Sequence, residues 1–549
     1  MKLIFSSLFV LSLLLCGCSG GNHGSSSSNE LKSTLDAKRA GIYTPVKLTS
    51  DLSQLTDEEK KVLKLLIQAA DVMNDIFWKE AYGNKNELLD AIDDKDARNF
   101  AEMNYGPWDR LDGNKPFIEG IGEKPKGAGF YPADMTKEEF EKWNNDLKEK
   151  PYTIITRDTT GQLKATWYHE FFKEEVTKAA GLLRQAAAIT SDKEFAYYLE
   201  NRAEALERDS YNASDVAWLL QTGNTLDIII GPIENYEDAL FEMKCAHEAY
   251  VLIRDKEWSA RLEKYVALLP GLQKELPCDP KYKADAVGNK SQLAAFDVVY
   301  YAGDCNAGGK TIAVNLPNDA GIQQEHGTRR SQLKNTIRAK FDKIVVPISG
   351  QLIDEDQRKH VTFDAFFGNV MFHEVAHGLG PKNVSGTKII IADTLKEQHS
   401  ALEEAKADVL GLWLITNLRA KGEISEGELM DNYVTFVVSV FRSCRFGASS
   451  AHGRANMLTF NFLKENEAFT RDSRKGTYNV DADKMKSAID RLAGVILQLQ
   501  GDGAYYKVKS FMEMQAVIKP EFQSDLDKVN NSGIPVDVVF EQGVDALGL

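Results

Sequence analysis

His373, Glu374 and His377 stand in a His-Glu-x-x-His array, within Phe372-His373-Glu374-Val375-Ala376-His377-Gly378. Residues four apart share one face of an α-helix. Two imidazoles on that face can grip one zinc ion, with Glu374 beside them to take a proton from a zinc-bound water. The chemistry therefore requires a helix here, and the flanks supply one. Phe363, Phe366, Phe367, Val370 and Met371 recur at helical spacing ahead of the motif, and Gly378, Gly380 and Pro381 stop it.

A hydrolytic zinc site needs a third protein ligand and an open position for water. Glu403-Glu404-Ala405-Lys406-Ala407-Asp408 follows, on a segment whose Ala405, Val409, Leu412 and Trp413 form an apolar helical stripe. Glu404 and Asp408 share a face. Glu404 is the candidate third ligand, and Asp408 can accept a hydrogen bond from a ligating ring, fixing its orientation. Glu403 is a second candidate for that outer shell. It has a competing explanation, because Ser400-Ala401-Leu402-Glu403 fits a helix capping box.

At these two motifs the chain resembles the dipeptidyl peptidase III family of zinc metallopeptidases. That family pairs a His-Glu-x-x-Gly-His motif with a Glu-Glu-x-x-Ala-Glu/Asp motif. The second stands intact here at 403–408, while the first is shorter by one residue, so a regular helical turn can align both imidazoles. The resemblance implies an α+β, mainly helical, two-lobed metallopeptidase, with a cleft between a helical zinc lobe and a mixed lobe holding a small β core.

Three further segments carry the resemblance. Ile233-Glu234-Asn235-Tyr236-Glu237-Asp238 is similar to the family's Glu-Ser-Tyr-Arg-Asp segment, which implies that Glu234 holds the peptide's free amine and Tyr236 contacts the peptide near the scissile bond. Ala313-Val314-Asn315-Leu316-Pro317-Asn318-Asp319 resembles the Asn-x-Pro-Asn strand end, assigning Asn315 and Asn318 to the substrate's first residue. Ala451-His452-Gly453-Arg454-Ala455 resembles a segment whose His steadies the transition state, which makes His452 the electrophilic helper. Taken alone, the first two segments are an acidic turn after a strand and a strand-ending turn. The implied activity is zinc-dependent release of dipeptides from the N-terminus of short peptides. The residues themselves leave open a zinc aminopeptidase or endopeptidase, and a non-catalytic peptide-binding lipoprotein. The intact Glu374 argues against the last, since a purely structural site has no need of a base.

The elements that must position these residues sit in a chain of 549 residues, 43% hydrophobic and 27% charged, long enough for two lobes. A formal charge of −15 argues against nucleic acid and against electrostatic docking on anionic lipid. Residues 1–17, with Lys2 and the apolar run Leu3 to Leu15, read as a lipoprotein signal. Leu15-Cys16-Gly17-Cys18 resembles a bacterial lipobox, which implies lipidation at Cys18 of an exported protein anchored to the cell envelope. Residues 18–40 read as a flexible tether, 41–345 as a mixed α/β lobe with the substrate-binding segments, and 346–549 as a mainly helical zinc lobe with a C-terminal return segment. Helices are expected at Glu58–Met73, Trp167–Ile189 and through Leu429–Leu463. Strands are expected at Leu226–Ile230, Ile312–Leu316 and, late, at Tyr505–Ala516. Tyr105–Met135, rich in Gly, Pro and aromatics, reads as an ordered loop. Cys245, Cys278, Cys305 and Cys444 show no metal-type spacing, and an exported chain could pair some of them. The stretch Gly303 to Thr311 misses the phosphate-loop pattern because Asp304 stands where a glycine is needed.

Overall fold

The computed structural model describes residues 31–283, 291–445 and 447–549. The signal segment, Cys18 and the Ser/Gly-rich part of the tether lie outside the described residues. The long helix α1 (Asp57–Ala81) opens on a capping box: Thr56 accepts from Glu59 N while the Glu59 carboxylate receives Thr56 N. Its stripe of Val62, Leu66, Met73 and Phe77 is buried against α2 (Lys173–Ile189) and the sheet beyond. The expected helix at Trp167 starts later. Trp167 closes a hairpin, Thr153–Arg157 paired with Leu163–Trp167, because alternating Ile154, Leu163 and Ala165 favour a strand over a helix there. The Tyr105–Met135 segment is loop apart from one two-residue ladder and a single 3-10 turn.

A five-stranded sheet forms the β core: β1 (Leu226–Glu234), β2 (Ala246–Arg254), β3 (Ser291–Gly303), β4 (Ala313–Leu316) and β5 (Thr328–Leu333), in the order β1-β2-β3-β5-β4. Only β3 and β5 run parallel. Side chains alternate faces along a strand, and β3 uses this to join two cores. Ala294, Phe296 and Val298 enter the core of the first lobe, while Leu293 and Ala295 enter that of the helical lobe. The sheet is curled. Asn318 Nδ2, just past β4, donates to Ile233 O on β1 at 3.2 Å, so the two outermost strands meet at the end that carries Glu234, Asn315 and Asn318.

The helical lobe comprises α3 (Phe363–Ala376), α4 (His399–Ala420), α5 (Leu429–Cys444), α6 (Ala451–Glu465), α7 (Ala482–Gly501) and α8 (Tyr505–Gln515). The helix Lys256–Glu275 joins its core through Leu262, Leu269 and Leu272. The region Leu429–Leu463 is helical as expected, in two helices separated between Cys444 and Ala451, where Gly447 takes φ +85°. One sequence expectation is corrected. Tyr505–Gln515 is a helix rather than a strand: its buried residues, Val508, Met512 and Gln515, recur at spacings of four and three. The four cysteines are free thiols, with Cys305 and Cys444 buried.

α3 and α4 cross at very short range. A Cβ on Gly411 would lie 3.0 Å from His373 N and 3.1 Å from Phe372 C, so only glycine lets the two backbones meet there. The chain also closes on itself. Tyr43–Lys47 pairs in parallel with Asp537–Glu541, and Asp537 receives an ion pair from buried Lys340 at 3.0 Å.

Gly411→Ala is expected to destabilise the protein. Helix propensity favours alanine by about 1 kcal/mol, but overpacking against rigid backbone costs roughly 1–3 kcal/mol. Because the clash is at His373, the variant's metal content after dialysis against dilute chelator should fall with its Tm; unchanged values for both would contradict the crossing. Asp537→Ala strands the Lys340 ammonium without its partner, and a loss of about 3–5 kcal/mol is expected in denaturant unfolding.

Candidate metal centre and cleft

Thr362 caps α3, its hydroxyl accepting from Ala365 N. Met371, Phe372, Val375 and Ala376 are buried in the lobe, which leaves His373, Glu374 and His377 on the partly exposed face. α4 begins at His399, so Ser400 is inside its first turn and the expected capping box does not form. Glu403 is turned instead to the metal helix. His377 Nδ1 lies 3.1 Å from Glu403 Oε1, and His373 Nδ1 lies 2.8 Å from Asp408 Oδ1. With both Nδ1 atoms held by carboxylates, both Nε2 atoms are left to face outward.

The Nε2 atoms converge on Glu404. Glu404 Oε2 is 3.1 Å from His373 Nε2 and 3.7 Å from His377 Nε2, and ligand atoms of the three residues lie within 4.8 Å of one another. Ligands bonded at about 2.0–2.1 Å in a tetrahedral zinc site stand roughly 3.3 Å apart, so this spacing fits. Glu404 Oε2 is moreover buried, and although imidazole nitrogens of His373 and His452 approach it to 3.1 and 3.0 Å, neither is aligned as a hydrogen bond. A buried carboxylate oxygen among imidazole nitrogens that approach without hydrogen-bond alignment has the donor set and geometry of a metal ligand.

The outer shell is itself held. Lys406, fully buried, donates to Glu403 Oε1 at 2.6 Å and to Leu379 O at 2.9 Å, and Gln500 Nε2 donates to Glu403 Oε2 at 2.9 Å. Burial would raise the Glu403 carboxyl, but Lys406 and His377 outweigh it and hold it well below the usual range. Asn456 Nδ2 donates to Asp408 Oδ2 at 2.8 Å. From the sheet, Arg330 on β5 donates to the carbonyl of Glu374, tying the metal helix to the opposite lobe. Lys406 sits at a variable position of its motif, and nothing local marks Gln500, Asn456 or Arg330 in the sequence.

His452 enters from α6, started by Ser450, whose hydroxyl accepts from Gly453 N at 3.0 Å. Its Nδ1 lies 3.0 Å from Glu404 Oε2, and that contact raises its pKa against the opposing effect of burial. Across the cleft, Glu234, Tyr236, Asn315 and Asn318 line one cavity of about 440 Å³ that Glu374 and His452 also line. Tyr236 is 78% exposed and makes no hydrogen bond among the described residues. Burial pushes the Glu234 carboxyl up, with Asn318 opposing. A second cavity, of about 380 Å³, opens from the same Glu374 and His452 in the helical lobe. Lys310, in the stretch that misses the phosphate-loop pattern, is buried and donates to the Asn306 carbonyl, turned away from any phosphate position.

Comparison with known proteins agrees with this architecture. Residues 121–385 match the model of Peptidase family M49. The solved DPP III of Caldithrix abyssi is 36% identical with a TM-score of 0.88, over 92% of this chain and 99% of that one. The dipeptidyl-peptidase III of Corallococcus sp. strain EGB is 35% identical with a TM-score of 0.77, over 93% and 97%. Among curated relatives, Nudix hydrolase 3 of Arabidopsis thaliana is 32% identical over 93% of this chain and 74% of that protein. Human dipeptidyl peptidase 3 is 22% identical over 65% of this chain and 44% of its own length. With a mainly helical two-lobed fold shared over nearly its whole described length, this chain belongs to the dipeptidyl peptidase III family of metallopeptidases, peptidase family M49.

Proposed function

We propose that this chain is a zinc-dependent peptidase that releases dipeptides from the free N-terminus of short peptides. The observation that carries the reading is the shared wall: Glu234, Asn315 and Asn318 line the same cavity as Glu374 and His452, so an anchored amine and a reacting bond fit in one continuous space. His373, His377 and Glu404 would hold the zinc, with Glu403 and Asp408 fixing the rings. Zinc bound there supplies a Lewis acid that acidifies water and polarises a carbonyl. Glu374 takes the proton from the attacking water and returns it to the leaving amine. His452 donates toward the oxygen that gains negative charge, and Tyr236 meets the peptide from the opposite wall. Glu234 accepts from the substrate's ammonium, and the Asn315 and Asn318 amides hold the backbone of its first residue.

Glu374→Gln keeps size and polarity but cannot accept a proton. Turnover is expected to fall at least ~100-fold, with zinc content by elemental analysis unchanged. Near-normal turnover in a zinc-replete variant would remove Glu374 from the mechanism.

N-acetylation of the substrate should lower kcat/KM by roughly 10- to 150-fold, the worth of a charge-assisted hydrogen bond. Glu234→Gln should erase most of that difference. The pH dependence follows. Glu234 titrates above an ordinary carboxyl because it is buried. Preference for the free amine is therefore lost as pH falls through that raised value, when the carboxylate protonates. It is lost again as pH rises through the amine pKa of about 8. Products are read by mass, and equal cleavage of free and acetylated peptides across this range would exclude N-terminal anchoring.

A further inference from the structure

The cavity in the helical lobe begins at Glu374 and His452 and is walled by Phe366, Val370, Leu412, Phe436 and Val440. One cationic side chain other than the two histidines lines it, Arg442, in the last turn of α5. The Arg442 side chain makes no hydrogen bond and no ion pair among the described residues, and its Nε is buried without an acceptor. Asp537, the carboxylate that acts on it, is already engaged by Lys340. The neighbouring Arg445, by contrast, is fully occupied with Asn530, Ile534 O and Pro535 O. A helix C-terminus favours a cation, which accounts for an arginine in this turn. It does not account for one that lines a cavity half-buried, with its Nε enclosed and unpaired and no acceptor for its terminal nitrogens, an arrangement that a bound acceptor would improve.

The two cavities that meet at Glu374 differ in what they offer away from it. The one beside the sheet is lined by Glu234, Glu248 and Asp304 with no lysine or arginine; the other, whose carboxylates are Glu374 and the Asp408 already paired with His373, has Arg442 beyond an apolar wall. A short peptide laid through both would carry its ammonium beside Glu234 and its carboxylate beside Arg442. We propose that Arg442 receives the terminal carboxylate of the part of the peptide that leaves, so that short free-acid peptides are preferred over amides and longer chains. The guanidinium's planar fork suits a carboxylate, which it can bind through two parallel hydrogen bonds. This inference rests on the dipeptide-releasing reading, since that reading fixes which cavity holds the leaving part.

The test uses alanine peptides of three, four and five residues, each as free acid and as C-terminal amide, with products identified by mass. At one length the free acid should exceed the amide in kcat/KM by at least ~10-fold, and Arg442→Gln should bring that ratio close to one. The ratio is taken within one enzyme, so a partly misfolded variant does not distort it. A parent enzyme indifferent to amidation at every length, or a preference that survives Arg442→Gln, overturns the role of Arg442. Tetra- and pentapeptide amides with Glu at the third or fourth residue are run beside the alanine peptides, and an Arg442-dependent gain confined to these also overturns it, by assigning the carboxylate to a side chain. Dipeptides released equally from acids and amides would sink this inference alone, whereas products other than dipeptides would sink the functional reading and this inference with it.

Discussion

Two carboxylates on one helix hold the Nδ1 atoms of two imidazoles on another, and the geometry of the centre depends on that pairing. Asp408 and Glu403 leave the Nε2 atoms of His373 and His377 directed at one point, where Glu404 already waits with an unsatisfied oxygen. The pairing works only because α3 and α4 touch backbone to backbone at Gly411. Widening that crossing by a methyl group would move the rings relative to all three acids at once. Lys406 and Gln500, which bind Glu403, and Asn456, which binds Asp408, keep the carboxylates from relaxing toward solvent. The centre is thus built from the inside of the lobe outward, with each ligand held by a group that is itself held.

The β core has the complementary task of presenting polar side chains at a fixed distance from that centre. Curling brings strands from opposite edges of the sheet together, so Glu234 from β1 and Asn315 and Asn318 from β4 share one wall although they lie far apart in strand order. Arg330, projecting from β5 to the carbonyl of Glu374, links that wall directly to the base. β3 adds a second coupling, with alternate side chains buried in each lobe.

What the sequence made legible was local. The spacing of His373, Glu374 and His377, the apolar stripe around Glu404 and Asp408, and the strand ending near Glu234 are each set by residues within a turn or two. The structure places those residues, with His452, about one cleft. Glu403 illustrates the limit of local reasoning: a capping box suits Ser400 to Glu403 in isolation, but the buried Lys406 and the His377 ring draw the carboxylate the other way. The leading tyrosines and Val508 of Tyr505–Gln515 favour a strand locally, while the segment's helical period shows only through what it packs against. Gly411 and Arg442 carry no local signal. One matters through a helix crossing and the other through the absence of a partner, both of which exist only after folding.

The pairing of Tyr43–Lys47 with Asp537–Glu541 makes the helical lobe, in topological terms, an insertion within the first. Val539, Phe540, Val544 and Leu547 pack on a core otherwise made by the N-terminal part of the sequence. As the chain emerges N-terminus first, that core must wait, one strand short and with its apolar rim uncovered, until the helical lobe has followed and residues 537–541 are free to pair. Helices α3 to α7 can assemble during that interval from contacts close in sequence, whereas the first lobe needs a contact spanning almost the entire chain. The metal helices can therefore form before the wall that faces them is finished, and closure of the clasp is the event that completes the cleft.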